Sequence, residues 1–485
     1  MAGRIPEALA DACADVSEAG PGDAVAGVAP RFVARPAGVT EAAAVLTAAS
    51  TLGMTAVPRG SGTRLAWGVP PTGCDLVVDT SRMNKVLEHA AGDLVVRVQA
   101  GVGLDQLADV LAKAGQRLAL DPPAAAPLPG PANGASTAHP PHGTGTIGGL
   151  LATGAAGPLR LRYGTPRDLA IGITVVRADG TVASSGGKVV KNVAGYDLGK
   201  LFAGSYGTLG LIVEAAFRLH PRPAATSFVT LDAADRESAA AVTALVASSP
   251  LAPSAVELDR PARGEPFRVG VLLEGDTEGV AERTARMTEL LGSGSTQPGP
   301  SSQSGPSSQS SPPAQSSPPA QPGPPAQPGL PAQPGPTTQP GPPAWWGGGA
   351  AAAADGTLIK VAFWAADLAR VLGAVDAAAV SAGIDPAVGG SAAAGVLYAA
   401  VAEGAPASAV ARFVTDLRAE VGAGGGSMPG SPPHRGSAVV LHAPAEVRAA
   451  VDLWGPVPGL NLMRAIKDQF DPQHIMAPGR FAGGI

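Results

Sequence analysis

The residues of this chain whose types and spacing suit chemistry are mostly glycines. Three segments, VPRGSGTR at 57–64, GTGTIGG at 143–149 and ATGAAG at 152–157, hold few reactive side chains but many backbone N–H groups that can converge on one anion. Glycine serves there because the chain must reach positive φ and because a β-carbon would hold the ligand away. The candidate ligand residues are Pro58, Arg59, Gly60, Ser61, Gly62 and Thr63 in the first segment and Gly145, Thr146, Ile147, Gly148 and Gly149 in the second. Thr153, Gly154 and Gly157 come from the third. No segment carries the Lys-Ser/Thr pair of a P-loop, so triphosphate hydrolysis has no support and a pyrophosphate is the expected ligand. Gly143, Gly145 and Gly148 also spell GxGxxG. The Pro-rich run at 121–142 that precedes them cannot be the first strand of a dinucleotide-binding unit, because proline lacks the ladder N–H.

Other reactive groups are sparse. None of the seven histidines pairs with another at a metal-ligand spacing, so no zinc or iron site is expected. His139 and His142 flank the second loop, either reaching its ligand or standing in solvent. Two distant cysteines, Cys13 and Cys74, fall short of the three or four thiolates of an iron–sulfur cluster and fit a reducing compartment. With 34 Lys and Arg against 39 Asp and Glu, scattered along the chain for a net charge of −5, no basic stripe calls for nucleic acid. No apolar run reaches the ~18–20 residues of a membrane span. The first residues lack the apolar core of a secretory signal, so a cytoplasmic location is expected.

The loops need elements to hold them. The segment 39–53 reads as a helix, with Thr40 as N-cap and Gly53 as stop, leading into a strand at 55–58 that delivers the first loop. Strands follow at 75–79 and 94–100, then an amphipathic helix at 104–115. A short helix from Ile147 turns its N-terminus toward the phosphates. A hairpin with AlaAspGly as its turn follows over 170–183, and a closing strand lies within 207–220.

From Pro221 the pattern is β–α–β–β–α: 226–231, 233–248, 254–258, 268–274 and a further helix, the start of a ferredoxin-like unit. Residues 297–343 repeat Pro, Gln, Ser and Gly with no apolar period, which predicts disorder of polyproline II character, either a solvated insertion or a Pro-rich recognition site. Strands at 357–364, 395–401 and 437–442 and helices at 366–382, 407–421 and 462–470 complete the chain.

In order and spacing, PRGSGT, TIGG, RYGTPRD, VVRADG, GYDL and GSYGTLG over about residues 30–221 resemble the FAD-binding domain shared by the vanillyl-alcohol oxidase and p-cresol methylhydroxylase flavoproteins. Within it, KNVAGYDL is most similar to the FAD-binding subunit of bacterial glycolate oxidase. KDQFDPQHIMAPGR at 467–480 looks like the tail that closes this family back on its flavin domain. The resemblance implies an α+β chain: a PCMH-type FAD-binding domain of two α+β subdomains, then a ferredoxin-like α+β cap interrupted by the disordered insertion. The expected bounds are an N-terminal extension at 1–29, the FAD domain at 30–221 and the first half of the cap at 222–292. A disordered linker then spans 293–350, and the second half of the cap with the closing tail spans 351–485.

The same resemblance adds Tyr163 and Ile212 to the cofactor-binding set, Ile212 at the adenine end. It brings Tyr196 and Asp197 near the isoalloxazine ring, for packing and hydrogen bonding or for catalysis. Lys188 and Lys191 either supply positive charge at the flavin N1 and C2 carbonyl or stand on the surface. Thr63 and Arg64 stand where some relatives carry a flavin-tethering histidine, so FAD is expected to be noncovalent. Tyr206 replaces an acidic residue common in the family, and the cap lacks the HxGDGNxH-type motif of related hydroxy-acid enzymes.

The activity implied is oxidation of glycolate or a similar 2-hydroxy acid to the 2-oxo acid. It implies a second FAD-containing subunit and an iron–sulfur subunit as partners, and membrane contact only through a partner. A stand-alone hydroxy-acid or alcohol dehydrogenase and a noncatalytic relay or scaffold are the alternatives.

Overall fold

The structure is a computed structural model that describes residues 5–123, 145–187, 198–292, 335–348, 356–423 and 435–485. The chain opens with α1 (Glu7–Ala12), β1 (Val16–Glu18), β2 (Phe32–Ala34), α2 (Val39–Thr51), β3 (Ala56–Arg59) and β4 (Leu76–Asp79). These strands form a sheet in the order β1-β2-β4-β3, parallel except for β1. Its central strands are short and apolar because both faces are covered. Val45, Leu46 and Ala49 of α2 pack with Phe32, Leu76 and Val78 on one side, while Val33, Val57 and Val77 pack with Ala477 on the other.

One expectation changes here. The N-cap of α2 is Gly38 and not Thr40, because the Glu41 carboxylate reaches back to the Ala37 N–H at 2.8 Å. Within the N-terminal extension expected at 1–29, β1 pairs with β2 and Asp23 binds Arg59.

The next elements are β5 (Val86–Ala90), β6 (Val95–Gln99), α3 (Leu104–Ala112), β7 (Gln116–Arg117), α4 (Ile147–Thr153), α5 (Arg160–Tyr163) and α6 (Pro166–Leu169). After them come β8 (Ala170–Val176), β9 (Val182–Gly186), β10 (Leu211–Arg218) and β11 (His220–Pro221). An antiparallel sheet runs β5-β6-β10-β8-β9, and β7 pairs with β11. Leu107 and Leu111 of α3 and Ile147 and Leu151 of α4 bury against Val96, Val98, Ala215 and Phe217 of this sheet. The β8–β9 hairpin turns through Ala178, Asp179 and Gly180, as the alternation of its two runs predicts.

The remaining strands, β12 (Ala225–Ala233), β13 (Ala255–Arg260), β14 (Phe267–Gly275), β15 (Thr337–Gln339), β16 (Thr357–Ala362), β17 (Ala387–Gly390), β18 (Val396–Val401) and β19 (Ser437–His442), make one sheet. Its order, β15-β12-β14-β13-β17-β18-β16-β19, is two four-stranded halves of matching connectivity joined where β13 pairs with β17. Helices α7 (Arg236–Ala247), α8 (Thr277–Gly292), α9 (Leu368–Ala382) and α10 (Ala407–Gly422) supply the apolar core on one face. The other face meets the region built on the first two sheets, with Trp67 packed against Leu358, Tyr398 and Leu441.

The expected linker at 293–350 is corrected over 335–348. There β15 adds to the edge of β12, and Trp346 packs edge-on to Phe228 at 4.9 Å.

The chain ends with α11 (Ala445–Ala450), α12 (Leu460–Phe470) and a tail in which Met476 bridges Ala56 of β3. Among the described residues no helix is long and apolar enough to cross a membrane.

Candidate functional site

The parallel strands β3 and β4 end side by side, and the first glycine loop leaves from the end of β3. Arg59, the last residue of β3, is almost fully buried. Its Nε and Nη2 donate to Asp79 Oδ2 at 3.1 and 2.9 Å and its Nη1 to Asp23 Oδ1 at 2.8 Å. The guanidinium is therefore committed behind the loop, and only the backbone of Arg59 is left to serve a ligand.

Beyond it the two loops meet. A β-carbon on Gly60 would stand 2.1 Å from Thr146 Oγ1, and one on Gly145, whose φ is +102°, would stand 2.9 Å from Arg64 Nη1. At Gly60 a side chain would displace Thr146, and at Gly145 the positive φ strains any residue but glycine.

Thr146 caps α4, its Oγ1 accepting from the Gly149 N–H at 3.4 Å. Gly148 serves packing: its N–H donates to Ala100 O at 2.7 Å and a β-carbon would press on the Ala100 side chain at 2.9 Å. Gly154 ends α4 at φ +62°, and Gly157 lets the chain pass Asp121, whose carbonyl oxygen would be 1.7 Å from a β-carbon.

Ile147 and Ile212 point into the core, Ile212 on β10 opposite Val175 of β8. Tyr163 faces the cap, its hydroxyl donating to Glu274 Oε2 at 3.1 Å and accepting from Arg117 Nη2 at 3.0 Å. Gly148, Gly154, Gly157, Ile147, Ile212 and Tyr163 are not among the residues that line the cleft formed here. Tyr196, Asp197, Lys188, Lys191, His139 and His142 lie outside the described residues.

Residues 58–65, Thr146, Gly149, Ala152, Thr153, Tyr206, Gly207 and Arg480 line a cleft of ≈ 530 Å³ that opens to solvent. Of the expected ligand residues, it brings together Pro58 through Thr63 with Thr146, Gly149 and Thr153. Arg64, Tyr206 and Arg480 complete the lining. Arg480 is the contribution that composition and spacing missed, although it ends the tail motif at 467–480.

Arg480 is 3% exposed, its Nη2 donates to the carbonyls of Leu65 and Trp67 at 2.8 and 2.9 Å, and its Nε has no partner among the described residues. Burial pulls it down to about 10. Arg64 is likewise buried, with Nη2 on Pro123 O at 2.7 Å, and burial lowers it too. Ser61 Oγ is buried with no partner among the described residues.

Among the described residues no carboxylate lines the cleft, and Arg64 and Arg480 bring positive charge to it. Backbone N–H groups, a buried hydroxyl and two buried guanidiniums fit a phosphate-bearing cofactor, because each satisfies a donor that is otherwise costly to bury. Tyr206 closes one wall at φ +57°, its ring 5.2 Å from Trp454 and 5.8 Å from Phe481. Burial pushes its phenol well up, which keeps it neutral.

Residues 30–129 and 131–186 match the family described as FAD binding domain. Glycolate oxidase subunit GlcD of Bacillus subtilis is 34% identical over 238 residues, 48% of this chain and 46% of that protein. Glycolate oxidase subunit GlcE of Escherichia coli is 35% identical over 171 residues, 35% of this chain and 43% of that protein. The chain thus spans under half the length of these relatives.

Two solved structures share the fold over nearly the whole chain. An alkyldihydroxyacetonephosphate synthase has a TM-score of 0.61 at 16% identity, covering 93% of this chain and 78% of that one. The BBE-like 1 protein of Physcomitrella patens has a TM-score of 0.58 at 14% identity, covering 97% of both chains. The chain is an α+β protein with an FAD-binding domain of the PCMH type, and FAD is the cofactor of that domain.

Proposed function

We propose that this chain is the FAD-binding subunit of a glycolate oxidase-type complex, oxidising glycolate or a similar 2-hydroxy acid to the 2-oxo acid. The observation that carries the reading is the cleft itself, where the glycine loop after β3 meets the one that opens α4 beside two buried guanidiniums and, among the described residues, no carboxylate. Similarity to glycolate oxidase subunits supports the choice of substrate. The FAD domain then runs from β1 through β11, and the eight-stranded sheet with its helices is the cap, its strap at 335–348 belonging to the cap and not to a linker.

FAD supplies the hydride acceptor when bound. The chain's own residues do the rest. Backbone N–H groups of the two loops, with Ser61, hold phosphate oxygens. Arg480 and Arg64 favour negative charge in the cleft, and Tyr206 with Trp454 and Phe481 keeps water from its wall. With Thr63 and Arg64 where a tethering histidine would stand, the cofactor is held without a covalent bond.

Two cysteines, both buried, fall short of the thiolates a cluster takes, so the iron–sulfur relay of such a complex belongs to a partner subunit and not to this chain. A second FAD-containing subunit completes the complex. The complex is cytoplasmic and meets the membrane only through a partner.

Anaerobic addition of glycolate to the purified chain tests the reading. The flavin absorbance at its long-wavelength band bleaches if this subunit oxidises the acid. Flavin that stays oxidised moves substrate oxidation to a partner and refutes the assignment.

A further inference from the structure

The strap at 335–348 follows the edge of β12 and then turns onto the face of the cap sheet that meets the FAD domain. Its start lies at the end of α8, where a β-carbon on Gly292 would stand 3.9 Å from Pro336. The turn is set by the Trp346 N–H on Pro343 O at 2.9 Å and the Gly348 N–H on Trp345 O at 3.0 Å. Its seat is Gly270 of β14. Gly270 stands opposite Thr230 and Glu257, on the same face as Phe228, Leu272 and Ala255. A β-carbon there would stand 2.7 Å from the Trp345 ring and 2.9 Å from the Trp346 ring, so both rings rest on bare backbone. On that face Arg268 also holds its guanidinium 5.5 Å from the Trp345 ring.

The seated strap touches the FAD domain. Trp346 packs edge-on to Phe228 in the apolar cluster that takes in Leu159. Gly347 lies against Pro158, whose ring would be 3.6 Å from a β-carbon placed on it. Pro158 and Leu159 lead into α5, the element on which the cap sits. From α5, Arg160 Nη2 donates to Tyr398 Oη at 3.2 Å, Arg162 Nη1 to Ser254 Oγ at 3.2 Å and Tyr163 Oη to Glu274 Oε2 at 3.1 Å.

From Leu159 a run of contacts leads on to the cofactor cleft. The Leu159 N–H donates to both oxygens of Asp121 at 3.1 Å, and a β-carbon on Gly157 would stand 1.7 Å from Asp121 O. In the same segment as Asp121, Pro123 O accepts from Arg64 Nη2 at 2.7 Å, and Arg64 lines the cleft. Loosening 157–160 therefore frees 121–123, and with it the carbonyl that aims the guanidinium.

We propose that the strap is a latch on the cofactor. Seated, it fixes Pro158 and Leu159 so that Arg64 stays aimed into the cleft; unseated, it weakens the hold on FAD. The proposal rests on the placement of FAD in this cleft and is independent of which acid is oxidised. No covalent bond changes. Coupling of this kind is reciprocal, so bound FAD holds the strap down by the same factor.

The dissociation constant of FAD, read by equilibrium dialysis of the full chain, tests the proposal. Gly270→Ala unseats both rings while leaving the strap's own sequence intact, and Trp346→Ala removes the packing at Pro158 and Leu159. Each weakens FAD about fivefold or more, the lower end of coupling between sites. Because both act through one seat, their effects do not add, and the double variant binds no worse than the weaker single one. Phe413→Leu, in the helical core on the far face of the cap, loosens that core without reaching the strap and leaves the constant unchanged. Hydrogen exchange of 335–348 slows about fivefold or more in the FAD-saturated chain relative to the flavin-free one. Unchanged binding by Gly270→Ala and Trp346→Ala, equal weakening by Phe413→Leu, additive effects in the double variant, or strap exchange indifferent to FAD overturns the proposal. Gly60→Val separates this failure from that of the site itself: flavin retained by that variant refutes the placement of FAD, whereas the latch stands or falls on the strap variants.

Discussion

Lys467 shows how much of this fold hangs on one side chain. It is 1% exposed, and its ammonium donates to Asp471 Oδ2 at 2.6 Å, Thr208 O at 2.7 Å and Met476 O at 2.9 Å. Asp471, wholly buried, also accepts the N–H groups of Ile475 and Met476. One ammonium thus ties α12 and the tail to the stretch before β10. Removing it strands a buried carboxylate, which costs about 3–5 kcal/mol. Lys467→Met is expected to lose that much unfolding free energy in urea titrations, and adding Asp471→Asn is expected to regain part of it. A loss under about 1 kcal/mol would show the pair to be solvated.

At this scale the sequence was legible only in part. Gly60 and Gly145 were readable as loop glycines, but nothing in a string of letters separates them from Gly148, Gly154 and Gly157. Their roles depend on what a β-carbon would meet: Thr146 and Arg64 in the first pair, Ala100 and Asp121 for Gly148 and Gly157. Arg59 looked like a ligand because it sits in the loop motif. Its partners Asp23 and Asp79 lie 36 and 20 residues away, and only folding brings them together.

Among elements, the strap at 335–348 departs most from what composition implies. Pro and Gln repeats argue for a solvated chain, yet ThrThrGln pairs with β12 and two tryptophans close over Gly270, where a β-carbon would meet the Trp345 ring at 2.7 Å. The anchoring signal was the Trp345–Trp346 pair, aromatic bulk at the end of a tract with no other aromatic. Excising 297–331 while keeping the strap is expected to leave thermal midpoint and FAD content unchanged. Trp346→Ala is expected to cost about 2–4 kcal/mol, less than a fully buried aromatic because the ring is half-exposed. Differential scanning calorimetry of both variants decides it, and a deletion that destabilises more than the point substitution would contradict the account. Strand β17, AlaValGlyGly, was missed for a different reason. Its glycines carry little β-propensity, and it is held by β13 and β18 on either side.

The whole molecule is an FAD domain and a doubled cap sheet held face to face by apolar packing around Trp67 and Leu159, by polar contacts and by the C-terminal tail. Arg117 grips Glu274 with two hydrogen bonds of 2.7 and 2.8 Å, and Arg480 brings its guanidinium from the chain's end into the cleft. The FAD domain was legible because its signals are local: glycine loops, valine-rich strands and the turn of the β8–β9 hairpin. The pairing of the two cap halves through β13 and β17 was not, since it joins residues some 130 apart with no motif at the seam.

The central claim is that FAD sits noncovalently where Gly60 and Thr146 meet. Its most direct measurement is the flavin content of the purified chain and of Gly60→Val, with each sample then precipitated in acid and the flavin assayed in supernatant and pellet. The account predicts stoichiometric FAD in the parent, all of it released to the supernatant, and a colourless variant whose far-ultraviolet circular dichroism is unchanged. Flavin retained by Gly60→Val, or a yellow pellet from the parent, would contradict it.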